Sequence, residues 1–411
     1  MAGKPRKSND NPNSSDSSGE PPKIDLRQAQ KRLLELLAIP GRSGEEMAVA
    51  EYIRSQLVAA GASDTQIRSD QANRKTLLRG DTGNLIFKLP GTMRAPRRLL
   101  MAHMDTVPIC VGSRPQRQGE SIHSADPETG LGGDDRAGVA VVLQSALEVL
   151  RCDRPHPPLT FLWTVQEEVG LHGARHVNLR ALGSPKLAFN FDGGAPEKLT
   201  IGATGGYRMS IKIHGRASHA GVAPEEGVSA IVIAAVAIAD LQKEGWLGLV
   251  EKPEGTGTSN VGVIRGGEAT NVVTDLVHVR AEARSHDARF RRRIVREIEH
   301  AFQNAARRVR SVSGRKGTVE VEGQLDYESY LLPRDTPCLD VAQRAAEAEG
   351  LQPSLAVADG GLDANWMNAH GIPTVSLGCG QKNIHTVDET LNLVQFEQAC
   401  RIAVRVAFGT A

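Results

Sequence analysis

RRLLMAHMDTVP, residues 97–108, reads as a short buried strand that stops at a polar cluster, and the fold follows from that reading. In open α/β sheets, strands deliver functional side chains from their C-terminal ends. Three runs of the same texture lie nearby, at residues 84–89, 159–165 and 186–191, each short and rich in Leu, Ile, Val or Phe. Between and before them the apolar spacing is helical. Residues 26–60 predict two helices around a turn at Pro40 and Gly41, residues 138–150 a third helix and residues 171–179 a short one. This alternation predicts an α/β fold with a mixed, mainly parallel sheet.

Past Gly202 the texture changes. Residues 207–213 alternate like a half-exposed strand, 228–241 form a long Ala, Ile and Val helix, 259–264 and 272–283 are strand-like, 289–309 make a basic helix, and 318–325 make a further strand. That is an α+β unit. From Pro337 the first texture returns, with a helix to about Glu349, strands near Leu355 and at 374–377, and a last helix at 393–408. We therefore expect one α/β domain, residues 23–205 and 329–411, interrupted by an inserted α+β domain, residues 206–328. Residues 1–22 carry almost nothing apolar to bury and predict a disordered tail.

A 411-residue chain exceeds the size at which one core stops growing, which agrees with two domains. Its 49 basic and 48 acidic residues leave a formal +1, so no field gathers nucleic acid or an anionic membrane, and neither is an expected partner. The five cysteines, Cys110, Cys152, Cys338, Cys379 and Cys400, are odd in number, scattered and without a CxxC pair. They predict reduced, buried thiols in a cytoplasmic protein. No apolar run reaches the roughly 18 residues of a membrane span, and the N-terminus lacks the apolar core of a secretory signal.

Five acidic or imidazole positions follow predicted strands. His103 and Asp105 share one side of an extended chain, so Asp105 can support a metal-binding His103. Asp134 and Asp135 sit in the Gly-rich turn GGDDRAG, where helix capping accounts for one aspartate but not for two adjacent ones. Glu167 and Glu168 point in opposite directions if extended, one toward a metal and one toward its water. Asp192 ends LAFNFDGG, and His385 lies in CGQKNIHTVDE. Each alone has an ordinary structural explanation. Their shared placement argues for a site with two divalent metals, zinc first, with cobalt or manganese able to substitute. Asp134 would bridge, His103 and Asp192 would complete one ion and Glu168 and His385 the other, with a nucleophilic water between ions roughly 3.5 to 4 Å apart. Glu167 would be the general base.

The ordered segments HMDTVP, GGDDRAG, QEEVGLHGA, FDGG and IHT resemble the M20 metallopeptidase family, specifically its peptidase T-like branch, over nearly the whole chain after the tail. The resemblance implies a zinc-peptidase-like catalytic domain and a lid or dimerisation domain, which are the interrupted and inserted units above. It implies metal ligands at His103, Asp134, Glu168, Asp192 and His385, the base at Glu167, and the His-supporting aspartate at Asp105. It also implies a cis peptide at Asp134-Asp135. GRASHAGVAPEEGVSA resembles the lid motif whose histidine, here His219, helps bind the oxyanion, from the other subunit in dimeric relatives. Asn271 and Arg284 fall on substrate-contacting positions, and the turn holding Gly360 and Gly361 on a substrate-binding one. Arg136 stands where the family usually has lysine, a change that puts the local packing in question but not metal binding. His123, His172 and His176 match no ligand position.

The activity implied is aminopeptidase cleavage of tripeptides or dipeptides by a homodimer. Two other readings differ in class or substrate. A carboxypeptidase or N-acyl-amino-acid amidohydrolase would use the same chemistry, and a non-catalytic metal-binding protein would be expected to lack a base or ligand.

Overall fold

The computed structural model describes residues 21–410, so most of the predicted tail, residues 1–20, lies outside the described residues. A nine-stranded mixed sheet organises the chain. Its strands run in the order Ile67–Ser69, Leu85–Leu89, Leu159–Thr164, Arg98–His103, Leu187–Phe191, Thr374–Leu377, Lys198–Ala203 and Tyr330–Leu331, with Ser354–Ala358 also on Lys198–Ala203. The four strands from Leu159–Thr164 to Thr374–Leu377 are mutually parallel, and antiparallel partners flank them.

Alternation along Arg98–His103 explains why this sheet is central. Leu100 and Ala102 enter a core beneath the helices Leu26–Ala38, Met47–Ala59, Gly133–Arg151, Pro337–Glu347 and Leu393–Phe408, whereas Leu99 and Met101 enter a smaller core on the opposite face. Both faces are dry, so the strand reads as one apolar run. Gly138 brings the helix Gly133–Arg151 against the sheet: a Cβ there would lie 1.8 Å from the Phe191 carbonyl oxygen. No side chain fits that approach.

Residues 205–327 build a second, antiparallel sheet of five strands, ordered Gly248–Lys252, Gly255–Gly266, Leu276–Ser285, Gly205–His214 and Thr318–Tyr327. Helices Ala230–Lys243 and Ala288–Arg308 cover one face and share a separate core with it, around Ile211, Ile233, Val279, Ile294 and Phe302. A four-stranded sheet pairs Gln381–Lys382 and Thr390–Asn392 with Ser121–Ser124 and Pro115–Gln118.

Three local expectations change. The helix expected over 171–179 is two short helices, His172–His176 and Leu179–Leu182, because the chain leaves helical geometry at Val177 and Asn178. The strand expected at 272–283 begins only at Leu276, the preceding residues being held in a loop by Val273 N–H donating to the Ser218 carbonyl. Lys198–Ala203 and Asp363–Ala369, a strand and a helix, were not foreseen. Among the described residues no helix is long and apolar enough to cross a membrane.

Candidate functional site

The parallel strands end on one cavity of about 380 Å³, lined by His103, Asp134, Glu167, Glu168, Asp192 and His385 together with Arg208, Arg284, Tyr327, Gly360 and Gly361. His103 closes its strand and Asp192 directly follows Leu187–Phe191. Asp134 lies at the start of Gly133–Arg151 but is not helical, with φ −83° and ψ 104°, and its bond to Asp135 is cis. The Asp134 carboxylate spans two imidazoles: Oδ1 is 3.3 Å from His103 Nε2 and Oδ2 is 3.2 Å from His385 Nε2. Glu168 Oε1 meets the same His385 nitrogen at 2.9 Å.

Glu167 and Glu168 do not diverge as an extended dipeptide would. Gln166 takes a left-handed φ of 55°, so the strand has ended and both glutamates face the cavity. The buried Asp105 carboxylate fixes this turn, accepting from Glu167 N–H at 2.9 Å, Glu168 N–H at 3.2 Å and the Ser43 hydroxyl at 2.6 Å. The same carboxylate also pairs with His103, though not as its nearest neighbour. His103 Nδ1 is 3.0 Å from the Asp105 carbonyl oxygen and 3.5 Å from the carboxylate, so the main chain is the closer partner.

Burial pushes the Glu167 carboxyl well above the ordinary range, and the neighbouring Glu168 and Asp363 charges add to it. Burial and Asp134 likewise push Asp192 up to about 7. Burial also pulls Asp134 upward, but hydrogen bonds from His103 and His385 outweigh it and hold Asp134 below its usual value. His385 is raised to about 10 by hydrogen bonds to Asp134 and Glu168. Donor atoms of three sets lie within 4.8 Å of one another: His103, Glu167 and Asp192; His103, Asp134 and Glu168; Asp134, Asp135 and Asp192. Imidazole nitrogens and carboxylate oxygens without a thiolate form a donor set that fits zinc, cobalt or manganese.

Residues 99–408 match the model of peptidase family M20/M25/M40. The chain belongs to this family. YqjE of Bacillus subtilis (strain 168) is 30% identical over 385 residues, covering 93% of this chain and 98% of the relative. A tripeptidase of Staphylococcus aureus subsp. aureus Mu50 superposes with a TM-score of 0.83 at 30% identity, over 94% of this chain and 99% of that one. Aminopeptidase PepT of Bacillus cereus ATCC 10987 superposes with a TM-score of 0.80 at 31% identity and the same coverages. The chain is thus a metallopeptidase of the peptidase T-like branch, a hydrolase acting on peptide bonds.

In this M20 peptidase the residues singled out from the sequence do not all meet. His219 and Asn271 are exposed on the five-stranded unit and do not line the cavity. They neighbour each other instead: His219 bridges to Val272, and Ala220 N–H donates to the Asn271 carbonyl. Arg284 does reach the cavity, with its fork turned onto Glu282 at 3.1 Å twice. His172 and His176 stack on each other at 6.3 Å, and His123 lies on the strand Ser121–Ser124. Arg136 is buried, and its Nη2 donates to the Gly41 carbonyl at 3.0 Å.

Several lining residues were not foreseen. Arg208 joins the two units, its Nε 2.9 Å from Asp326 and its Nη1 3.4 Å from the Val169 carbonyl next to the glutamate pair. The Tyr327 ring packs on Gly361, where a Cβ would lie 2.5 Å from it. Arg208 sits on a strand that reads only as alternating and Tyr327 lies just past the strand expected over 318–325, and no local signal marks which face meets the cavity.

Proposed function

We propose that this chain removes the amino-terminal residue from tripeptides or dipeptides, using two divalent metal ions. The ions, zinc first, would be held by His103, Asp134, Glu168, Asp192 and His385, with Asp134 shared. The observation that carries the reading is the Asp134 carboxylate reaching His103 with one oxygen and His385 with the other. When bound, the ions supply Lewis acidity and lower the pKa of water. Glu167 takes the proton from the attacking water and delivers it to the leaving amine, a role that suits a buried carboxyl with raised proton affinity. Asp105 keeps Glu167 in place through its main-chain N–H. Arg284 and the Gly360-Gly361 turn would receive the substrate, Arg284 facing a carboxylate.

In this reading residues 23–205 and 329–411 are the catalytic domain and residues 206–328 the lid. His219 would hydrogen-bond the oxyanion of the other subunit in a homodimer, and Asn271 would contact substrate there. Two observations support this: His219 and Asn271 stand outside their own chain's cavity, and the helix Ala230–Lys243 exposes Ile231 and Val232, both more than two-fifths accessible.

The test is a panel of free tripeptides and dipeptides against the same peptides blocked at the amino terminus. Cleavage confined to free amines is expected. Cleavage of N-acylated amino acids instead would replace the reading with the amidohydrolase one.

A further inference from the structure

The segment CGQKNIHTVDE carries two residues that the proposed chemistry leaves unused, Gln381 and Glu389. They stand at the foot of a small hairpin, where Gln381 pairs with Leu391 and Lys382 with Thr390, and the loop between them carries His385 at φ 64°. Both feet grip the turn that carries Asp134. Glu389 Oε2 accepts from Gly132 N–H at 2.6 Å and Oε1 accepts from Asp134 N–H at 3.0 Å. Gln381 Nε2 donates to the Gly133 carbonyl at 3.0 Å and to Asp135 Oδ1 at 2.9 Å, while its Oε1 accepts from Gly193 N–H at 2.9 Å, beside Asp192.

This turn has no regular structure of its own to hold it. Gly132 is left-handed, and Asp134 and Asp135 depart from helical angles. Its N–H groups would lack partners at a buried helix start. Glu389 is 1% exposed, and burying a carboxylate is costly unless its oxygens are satisfied. Charge-assisted bonds to two main-chain donors satisfy it, and they fix the turn at two points.

We infer that Glu389 is a positioning residue, which with Gln381 registers the Asp134 turn against His385 and the Asp192 loop. The loop that delivers one proposed metal ligand thereby sets the place of two others. This inference rests on the proposed metal site. It has a specific chemical consequence, because a carboxylate only accepts whereas an amide has one accepting and one donating end. In Glu389→Gln the shape is kept, yet the NH₂ must face either Gly132 N–H or Asp134 N–H, donor against donor. The turn is released at that point while the rest of the packing stays.

The experiment titrates metal-free wild type, E389Q and E389D with cobalt(II), reading the visible absorption of the bound ion and the thermal midpoint of each metal-free protein. We expect E389Q to bind cobalt about tenfold or more weakly with a changed spectrum, in the range of lost second-layer contacts to metal ligands. Its metal-free midpoint should fall by only a few degrees, as one unsatisfied buried donor implies, with the protein still folded, and at saturating metal kcat should fall with KM little moved. E389D keeps two acceptors and should lie between. Wild-type affinity and spectrum in E389Q would overturn the inference alone. Metal-free E389Q and E389D that are both unfolded would also overturn it, making Glu389 a residue of the fold. A wild type that binds no cobalt would remove the metal site and the inference with it.

Discussion

Glu167 and Arg208 show what single residues contribute to this site. Replacing Glu167 with Gln keeps the side-chain shape and the Asp105 bond to its main chain but removes the proton acceptor. We expect kcat to fall by about 10²–10⁴-fold with metal content unchanged, measured by steady-state kinetics beside metal analysis. Arg208 faces a buried Asp326 carboxylate, so Arg208→Met leaves that charge without its cation. Because the arginine is partly exposed, the loss should be about 1–2 kcal/mol in urea denaturation, below that of a fully buried pair. His385 sets a pH dependence. Its metal-free pKa is about 10 against an ordinary 6.5, so its contribution to stability is fully present below 6.5 and is lost as pH rises through 10. The raised Asp192 acts over a lower window, its contribution being lost as pH rises from the ordinary 3.8 through about 7, so the decline above neutrality belongs to His385. The thermal midpoint of metal-free protein should therefore decline above neutrality, and a midpoint that rises there would contradict the pairing. At this scale the proposed ligands His103, Glu168, Asp192 and His385 stood out because each comes after an apolar run, and Asp134 because it is one of two adjacent aspartates in a Gly-rich turn. Arg208, Glu389 and Gln381 did not, since a lone charged or amide residue on a loop or strand has no periodic signature.

Among the elements, the strand Arg98–His103 and the helix Gly133–Arg151 do most to aim the site. The strand was readable to its last residue, because both its faces are buried and the apolar run ends where the sheet opens. The helix was readable only from Gly138 onward. Its first turn is bent at Asp134 and Asp135, and the bend depends on Glu389, which is distant in sequence. Gly138 is the contact that seats the helix. Gly138→Ala would force a methyl onto the Phe191 carbonyl at 1.8 Å, so the helix must move. The expected loss is at or above the upper end of the about 1–3 kcal/mol seen for overpacked cores, read from denaturant unfolding of metal-free protein. Phe191 precedes Asp192, so the same shift should weaken cobalt uptake. The glutamate pair teaches the opposite lesson about strands. Strict alternation would have separated the two side chains, and the left-handed Gln166 brings them to one cavity.

For the whole molecule, the separation of His219 from its own chain's cavity has a direct test. If His219 acts across a dimer, mixing H219A and E167Q subunits should restore about a quarter of wild-type activity, since only one site of each mixed dimer is complete. No recovery, together with exchange confirmed by mass, would place His219 outside the reaction. Ile231→Asp with Val232→Asp should yield monomers in sedimentation, because charge on an exposed apolar helix face opposes its burial. The alternation of strands and helices, the change of texture after Gly202 and the donor types of the proposed metal set could all be read from local periodicity and residue type. Those properties depend on neighbours in the chain, whereas the M20 peptidase family was legible through the resemblance of the ordered segments HMDTVP, GGDDRAG, QEEVGLHGA, FDGG and IHT. What only the tertiary structure decided is which groups meet. It turned Asp105 toward the glutamate main chain, closed Arg284 on Glu282, kept His219 and Asn271 out of the cavity, and set Gln381 and Glu389 on the Asp134 turn. Apart from the Arg284–Glu282 pair, which lies within one strand, such contacts join residues far apart in sequence, and their geometry is fixed by packing two sheets and a hairpin together, which no local pattern encodes.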